Sequence, residues 1–417
     1  MNVECVKSTT VADFRVDGGV ALSQIPGAMA KPDISIDQFI AGSLAEGAIS
    51  WPGRWSTPKA NSAFVERSID HGVAGMLFEL AVNSDWPARV IDGLRDQALA
   101  QTMWEVRHRQ VVGRLLTGLA QVDVTPMLLK GTAAAYDLYE TPAMRARIDT
   151  DILVDIGDLA AARLVLARNG FNRGSQERDD NDEFSLQETW YFTTEDGVNN
   201  CHTIDLHWHV MNSMALRQTL DYADSVRSAR PLPRLHPHAI GMDLPRALIH
   251  VCLHRAIQDP RPYHIEGRRF FAGDRLIWAN DIHLIAGALD GDGWERFGAI
   301  VAEKRLSSVC VDGLEFARKS LGTIVPKSVL DDLSLRRPDS RESRYLMNSS
   351  QLTRAFQDVL AVKGLSAKAG YVLDRLLVRK DFLRSKYPNM DKSSIAVLYL
   401  KRLAHLLHRR ANRSDVL

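Results

Sequence analysis

One interruption in the helical pattern of this chain limits the folds that it can adopt. Apolar residues recur every three or four positions from 36 to 119 and again from Pro245 onward, which predicts helices on both sides. Between these regions the apolar runs are short or alternating, which predicts strands over Val122–Leu129, Asp149–Val154, Glu188–Thr194 and Thr203–Val210, the last two as a hairpin. We therefore predict an α+β fold in which a small mixed β-sheet core is flanked by helical domains.

The same pattern divides the chain into four parts. We predict a loosely ordered arm over 1–35, an N-terminal helical segment over 36–119, an α/β core over 120–215 and a C-terminal helical domain over 240–417. The end of the chain is basic, because residues 351–417 contain 14 Lys or Arg and 5 Asp or Glu. This charge suits a nucleic-acid surface, but a solvated amphipathic helix is the simpler interpretation.

The composition excludes several classes of protein. Of the 417 residues, 45% are hydrophobic and 25% are charged, which is typical of a globular chain and not of a disordered one. No run approaches the roughly 20 apolar residues that a transmembrane helix needs. Charged residues near the start, Glu4, Asp13 and Arg15 among them, interrupt the apolar core of a signal peptide. With no C-x-x-C pair among the four cysteines, we expect a cytoplasmic location.

Paired aspartates in the predicted core indicate a metal site. Asp149 and Asp151 lie two residues apart in a predicted strand, so their side chains point to the same face. Two carboxylates held that close repel each other unless a cation lies between them. Mg²⁺, which prefers oxygen ligands, is the simplest cation for this position.

A third carboxylate comes from the second strand of the predicted hairpin. From Thr203 to Val210, the even positions are apolar and the odd positions carry Asp205, His207 and His209. If this strand neighbours the Asp149–Asp151 strand, Asp205 joins the same face. Three carboxylates on adjacent strands can hold two divalent ions about 4 Å apart, which suits in-line phosphoryl transfer. His207 and His209 fit a supporting or sheet-surface role better than a role as ligands.

The segment before these strands has features of a phosphate-binding turn. Gly131-Thr132 lies between a predicted strand and the start of a helix. Backbone N–H groups at such a point attract phosphate, and the threonine hydroxyl can add a hydrogen bond. Lys130 and Arg145 can neutralise the remaining phosphate oxygens.

Taken together, these motifs resemble the nucleotidyltransferase superfold of DNA polymerase β. More specifically, the chain is similar to the bacterial family of uncharacterised nucleotidyltransferases. The motifs that carry this resemblance are Leu128–Gly131, Arg145–Val154, Gly170-Phe171 and Asp205–Trp208. It extends over about 60–320 through three further elements, His71–Leu77, Leu248–His254 and Arg275–Asp281. The superfold usually has Gly-Ser at the turn, where this chain has Gly131-Thr132.

The resemblance implies an activity and a set of residue roles. Asp149, Asp151 and Asp205 would bind Mg²⁺ or Mn²⁺ and carry catalysis, while Gly131-Thr132 would bind the triphosphate. The implied reaction transfers a nucleoside monophosphate from an NTP to a hydroxyl of an acceptor, with release of pyrophosphate. A small molecule or a peptide is the acceptor that superfold analogy favours.

Other interpretations remain at this stage. The chain could be a non-catalytic nucleotide-binding or scaffold protein, or a nucleotidyltransferase that acts on protein or, through its basic C-terminal segment, on RNA. His250 and His254 share a helical face and could hold a transition metal of a hydrolase. We interpret this pair, and His207, as possible walls of the active-site cleft.

Overall fold

The computed structural model describes most of the chain between residues 35 and 402. The described residues are 35–174, 184–194, 201–258, 263–265, 268–270, 274–335, 339–348, 350–376, 380, 383–384, 387 and 394–402. The predicted arm lies almost wholly outside this set, as does the end of the basic segment. Among the helices of the described part, none is long and apolar enough to span a membrane.

Short strands form a mixed sheet in the middle of the chain. The strands are β1 (Met127–Leu128), β2 (Asp149–Leu153), β3 (Asn172–Arg173), β4 (Gln187–Thr193), β5 (Cys201–His207), β6 (Arg230–Pro231), β7 (Ile240–Gly241), β8 (Tyr263–Ile265) and β9 (Arg268–Phe270). Seven of them form one sheet in the order β3-β4-β5-β2-β1-β7-β6, and β8 pairs with β9 alone. The pairs β2·β5 and β1·β7 are parallel and the other pairs are antiparallel, so the sheet is mixed as predicted.

Helices precede and follow this sheet. They are α1 (Ile36–Glu46), α2 (Pro58–His71), α3 (Ala74–Ala81), α4 (Ala88–Ala120), α5 (Lys130–Asp137), α6 (Leu159–Arg168), α7 (Tyr222–Arg227), α8 (Leu244–Ile257), α9 (Leu276–Ala288), α10 (Gly291–Lys304), α11 (Ser307–Leu321), α12 (Lys327–Ser334), α13 (Arg341–Asn348), α14 (Gln351–Ala361) and α15 (Leu365–Leu376). The predicted α+β architecture with flanking helices is confirmed.

Local sequence explains where the elements near the site begin and end. Asp243 caps α8, because its side chain accepts a hydrogen bond from the Arg246 backbone N–H, and Pro245 occupies the first turn. α6 is followed by Gly170 at a φ of +82°, a left-handed conformation that favours glycine. β5 ends at His207 rather than at the predicted Val210, because its neighbours β2 and β4 supply register partners only as far as His207.

The sheet is covered on both faces. On one face, Ile152, Ile204 and Leu206 pack with apolar residues of α4 and α6. On the other, Leu153 of β2 packs with Leu248 and its neighbours on α8, together with residues of α9. α9 also contacts the N-terminal helices, since Leu276, Ile277 and Trp278 belong to the cluster built around Phe39 and Phe64. The second face, where α8 and α9 lie, contains the candidate site.

Candidate active site

A cavity of about 400 Å³ lies where β2 and β5 face α8 and α9. Nine of the ten residues that the sequence predicted for the site line it, namely Lys130, Gly131, Thr132, Arg145, Asp149, Asp151, Asp205, His250 and His254. The tenth, His207, is completely buried. Residues of α5, β2, β5 and α8, together with Asp281 of α9, therefore meet at one cavity.

The parallel pairing of β2 with β5 brings the aspartates to one face. Asp151 is the register partner of Asp205, and Asp149 precedes Asp151 by two residues on the same strand. Because side chains alternate along a strand, all three point toward the cavity that they line. Asp205 Oδ1 accepts a 2.7 Å hydrogen bond from the hydroxyl of Thr189 on β4. The structure therefore brings the three aspartates of the two strands together at one cavity.

Asp151 is the centre of the polar contacts in this cavity. Its Oδ1 lies 2.5 Å from Lys130 Nζ and 2.8 Å from His207 Nε2. Burial favours the neutral acid, but the charge of Lys130 and the hydrogen bond from His207 outweigh it and lower the pKa of Asp151 below its ordinary value. Asp151 is therefore an ionised carboxylate, although it is only 7% exposed.

Lys130 supplies the positive charge that the aspartates require. Burial alone would lower the pKa of its ammonium group, but the attraction of Asp151, followed by Asp149 and Asp205, raises that pKa. Lys130 is the first residue of α5 and has a φ of 50°, which is uncommon for a residue with a side chain. This backbone conformation at the strand–helix junction places the lysine at the carboxylates.

The donor set suits a divalent metal. One oxygen of Asp151, one oxygen of Asp205 and one ring nitrogen of His207 all lie within 4.8 Å of one another. Oxygen donors of this kind are preferred by Mg²⁺ and Mn²⁺, and imidazole is a common additional ligand for transition ions. Asp149 lines the same cavity without being one of these three residues.

Thr132 and Arg145 make contacts that the sequence did not suggest. The Thr132 hydroxyl bonds to the Thr150 hydroxyl at 2.9 Å and accepts a 3.2 Å hydrogen bond from Arg147 Nε. Arg145 Nη2 donates to Asp281 Oδ2 of α9 at 2.7 Å, and both side chains are buried. The phosphate-binding role of these two residues stays a prediction, since both side chains already have protein partners.

Gly131 lies in close contact with the side chain of Arg145. A Cβ atom at this position would lie 3.0 Å from Cζ of Arg145, so the guanidinium would have to shift by a few tenths of an ångström. The glycine therefore lets Arg145 pass the start of α5 and reach Asp281. The strand–helix turn at Gly131 and the buried Arg145–Asp281 ion pair therefore form in the same place.

Two histidines of α8 form the wall opposite the aspartates. Burial, followed by the nearby charge of Lys130, lowers the pKa of His250 far below its ordinary value and that of His254 to about 3. Both rings are therefore neutral near pH 7. His254 Nε2 accepts a 3.3 Å hydrogen bond from the Gln258 side-chain amide, whereas His250 Nε2 has no hydrogen-bond partner among the described residues.

Sequence reasoning missed a polar network on the opposite face of β2. His108 of α4 is bonded to the hydroxyl of Thr150 at 2.6 Å, and Glu105 pairs with Arg147 at 2.7 Å. A signal was present in the sequence. Glu105 and His108 fall on the buried stripe of α4 that continues through Val112 and Leu115, at spacings of three and four. Charged residues on an apolar stripe indicate buried partners.

Comparison with known protein families gives a match over the middle of the chain. A family model described as an uncharacterised nucleotidyltransferase matches residues 58–322, about two thirds of the chain. The matched segment includes every residue of the cavity discussed above. The search against curated proteins finds no significant match for this chain.

Proposed function

The chain belongs to the family of uncharacterised nucleotidyltransferases, and from this premise we propose that it transfers a nucleoside monophosphate from an NTP to an acceptor hydroxyl in a reaction that depends on a divalent metal. Pyrophosphate is the second product. The mixed sheet, with a strand–helix turn next to paired aspartates, supports a relationship to the superfold of DNA polymerase β. Family membership supports the class of reaction and the cavity supports its chemistry.

The main support for this proposal is the position of two aspartates on neighbouring strands. Asp151 and Asp205 are register partners on the parallel strands β2 and β5, and both face the cavity. Asp149 lies two residues before Asp151 on β2 and faces the cavity as well. Adjacent carboxylates at a buried position destabilise a fold unless cations accompany them. The charge of Lys130 attracts all three carboxylates, and that of Arg145, which is paired with Asp281, attracts Asp149. A cluster of three carboxylates at this position favours a divalent cation.

Asp149, Asp151 and Asp205 would hold Mg²⁺ or Mn²⁺. A divalent metal bound there would neutralise phosphate oxygens and polarise the α-phosphate. The chain's own groups have separate tasks. Lys130 would bind phosphate oxygens, and Asp205 would accept the proton of the acceptor hydroxyl. The hydroxyl oxygen then bonds to the α-phosphorus as the bond between that phosphorus and the bridging oxygen to the β-phosphate breaks, and pyrophosphate leaves.

The α8 wall supports a small-molecule or peptide acceptor. Leu244, Ala247 and Val251 line the cavity along with the neutral rings of His250 and His254. This wall offers apolar contacts and uncharged hydrogen-bonding groups, which suit an uncharged hydroxyl compound better than a polyanion. We propose that the C-terminal helical segment, 240–417, forms the acceptor side and that the core, 120–215, forms the nucleotide side.

Labelled nucleotides test the proposal directly. The full chain is incubated with Mg²⁺, an extract of its source cells and each NTP labelled at the α-phosphate, and the species that gains label is identified by mass. We expect label transfer and stoichiometric release of pyrophosphate. Asp151→Asn and Asp149→Asn should each lower transfer by about a thousandfold or more, because each removes a ligand that stabilises the transition state.

An exposed aspartate provides the control. Asp292 lies at the start of α10 on the surface, so Asp292→Asn should retain wild-type transfer. Circular dichroism of all variants checks that the fold is retained. Near-normal transfer by folded Asp151→Asn protein would refute the proposal. Nucleotide binding by the wild-type chain without any transfer would favour the non-catalytic alternative.

A further inference from the structure

A buried histidine lies next to the carboxylates of the proposed metal site. His207 follows Asp205 by two residues on β5, so its side chain points to the same face. Its ring is completely buried, and Nε2 lies 2.8 Å from Asp151 Oδ1. The ring therefore contacts one proposed metal ligand and lies on the same strand as another.

The donor atoms of these three residues are close enough to share one ion. One atom from each of Asp151, Asp205 and His207 lies within 4.8 Å of the other two. Two ligand atoms that are each about 2.1 Å from a metal lie about 3 to 4.2 Å apart in octahedral geometry. The 4.8 Å limit is slightly wider than this range, so small side-chain shifts would bring all three atoms into one coordination sphere. Neither Lys130 nor His207 uses Oδ2 of Asp151 in its contact.

The position of the ring leaves Nε2 as the nitrogen that can reach a metal. Nε2 is the ring nitrogen that lies at Asp151 Oδ1. His207 Nδ1 is buried and has no hydrogen-bond partner among the described residues, so burial and the position of His207 on β5 orient the ring in place of the usual partner of a ligating histidine.

We propose that His207 binds the catalytic metal directly with Asp151 and Asp205, so that the centre includes a nitrogen ligand as well as the carboxylates. This inference rests on the proposed function, because it assumes that the chain binds a divalent metal. It departs from the expectation that His207 supports the site without ligating.

A nitrogen ligand changes which metal the site prefers. Mg²⁺ is a hard ion that binds oxygen ligands, whereas imidazole increases the affinity for first-row transition ions. The site should therefore bind Mn²⁺ more tightly than Mg²⁺, by about tenfold or more, in line with the effect that single groups around a metal have on affinity.

Pulsed electron paramagnetic resonance of the Mn²⁺-loaded full chain tests the proposal. A directly bound imidazole gives a ¹⁴N hyperfine coupling, which oxygen ligands do not. We expect this coupling in the wild-type chain and its loss in His207→Gln, together with an Mn²⁺ dissociation constant raised at least about tenfold. His209→Gln is the matched control, since His209 lies just beyond the end of β5 and should retain both the coupling and the affinity.

A second sample keeps the test decisive if His207→Gln fails to fold. Wild-type chain labelled with ¹⁵N-histidine should show a ¹⁵N coupling in place of the ¹⁴N coupling, and His250→Gln should leave it intact. Mn²⁺ binding without any nitrogen coupling would overturn the role of His207 while leaving the proposed function standing, as would loss of the coupling in His250→Gln. Failure of the wild-type chain to bind Mn²⁺ and Mg²⁺, with or without nucleotide, would overturn the proposed function as well.

Discussion

The two faces of strand β2 differ in what their polar side chains contact. On the cavity face, Asp149 and Asp151 point into a space that can hold a ligand, opposite a histidine nitrogen with no described hydrogen-bond partner. On the other face, the Thr150 hydroxyl is bonded to His108 at 2.6 Å and to Thr132 at 2.9 Å. Adjacent residues of one strand thus line a cavity on one side and join a protein hydrogen-bond network on the other.

The closed network connects the segments that carry the cavity residues. Glu105 of α4 pairs with Arg147, just before β2, and accepts a hydrogen bond from the hydroxyl of Tyr136 on α5. Arg147 also donates to Thr132 near the start of α5. α5 begins with Lys130, and β2 carries Asp151. The network therefore links α5, which carries Lys130, to the start of β2, which carries Asp151, so the polar contacts on one face hold together the segments that bear the charges of the other.

The largest expected effect comes from removing the acid of this network. Glu105→Ala leaves the Arg147 guanidinium buried without its carboxylate, and breaking a buried pair in this way costs about 3–5 kcal/mol. We expect the free energy of unfolding to fall by that amount, as measured by urea denaturation. Glu105→Gln, which keeps a hydrogen-bond acceptor, should lose less. If the free energy of unfolding of Glu105→Ala equalled that of the wild-type chain, the buried pair of Glu105 and Arg147 would not stabilise this face of β2.

A smaller effect is expected at the strand itself. Thr150→Val keeps the shape of the side chain but removes a hydroxyl bonded to His108 and Thr132, which should lower the free energy of unfolding by about 1–3 kcal/mol. Thr150→Ser keeps the hydroxyl and should retain the hydrogen bonds. Transfer by folded Thr150→Val protein should fall far less than transfer by Asp151→Asn. Equal losses of transfer in these two variants would remove the distinction between the faces.

The sequence predicted those parts of the site that depend on alternation within a strand. Asp149 and Asp151 are two residues apart, and the odd positions around Asp205 are polar, so each strand revealed its cavity face. The α+β order and the antiparallel pairing of β4 with β5 followed from the same local patterns. These features depend on neighbouring residues, and neighbouring residues are what a sequence pattern records.

The partners that lie far apart in the sequence could not be predicted. Arg145 pairs with Asp281, 136 residues away. A basic residue near a predicted phosphate turn gives no local sign that a distant helix supplies its carboxylate. Gly131 was interpreted as a phosphate-binding glycine, yet the structure shows that it also makes room for this arginine. For residues of this kind, only the packing of helices against the sheet determines the contact.

The smallest effect that we predict concerns acid stability on the cavity side. His250 lies near Lys130, His254, Asp151 and His207, and its burial, followed by the charge of Lys130, keeps its folded-state pKa well below 6.5. Below pH 6.5 the unfolded chain binds a proton at this position and the folded chain does not. Stability from this group is therefore complete above pH 6.5 and is lost on acidification by about 1.4 kcal/mol per pH unit.

Substitution of this histidine isolates its contribution. His250→Phe and His250→Gln both remove the titrating group, so both should show a shallower decline of unfolding free energy between pH 6.5 and 5.5, by about 1 kcal/mol. The two variants differ in packing and hydrogen bonding, so their absolute stabilities will differ while their slopes agree. Urea denaturation across this pH range supplies the measurement. Declines parallel to that of the wild-type chain in both variants would show that His250 has the same pKa in the folded protein as in the unfolded chain, and the neutral wall opposite the aspartates would no longer distinguish that face.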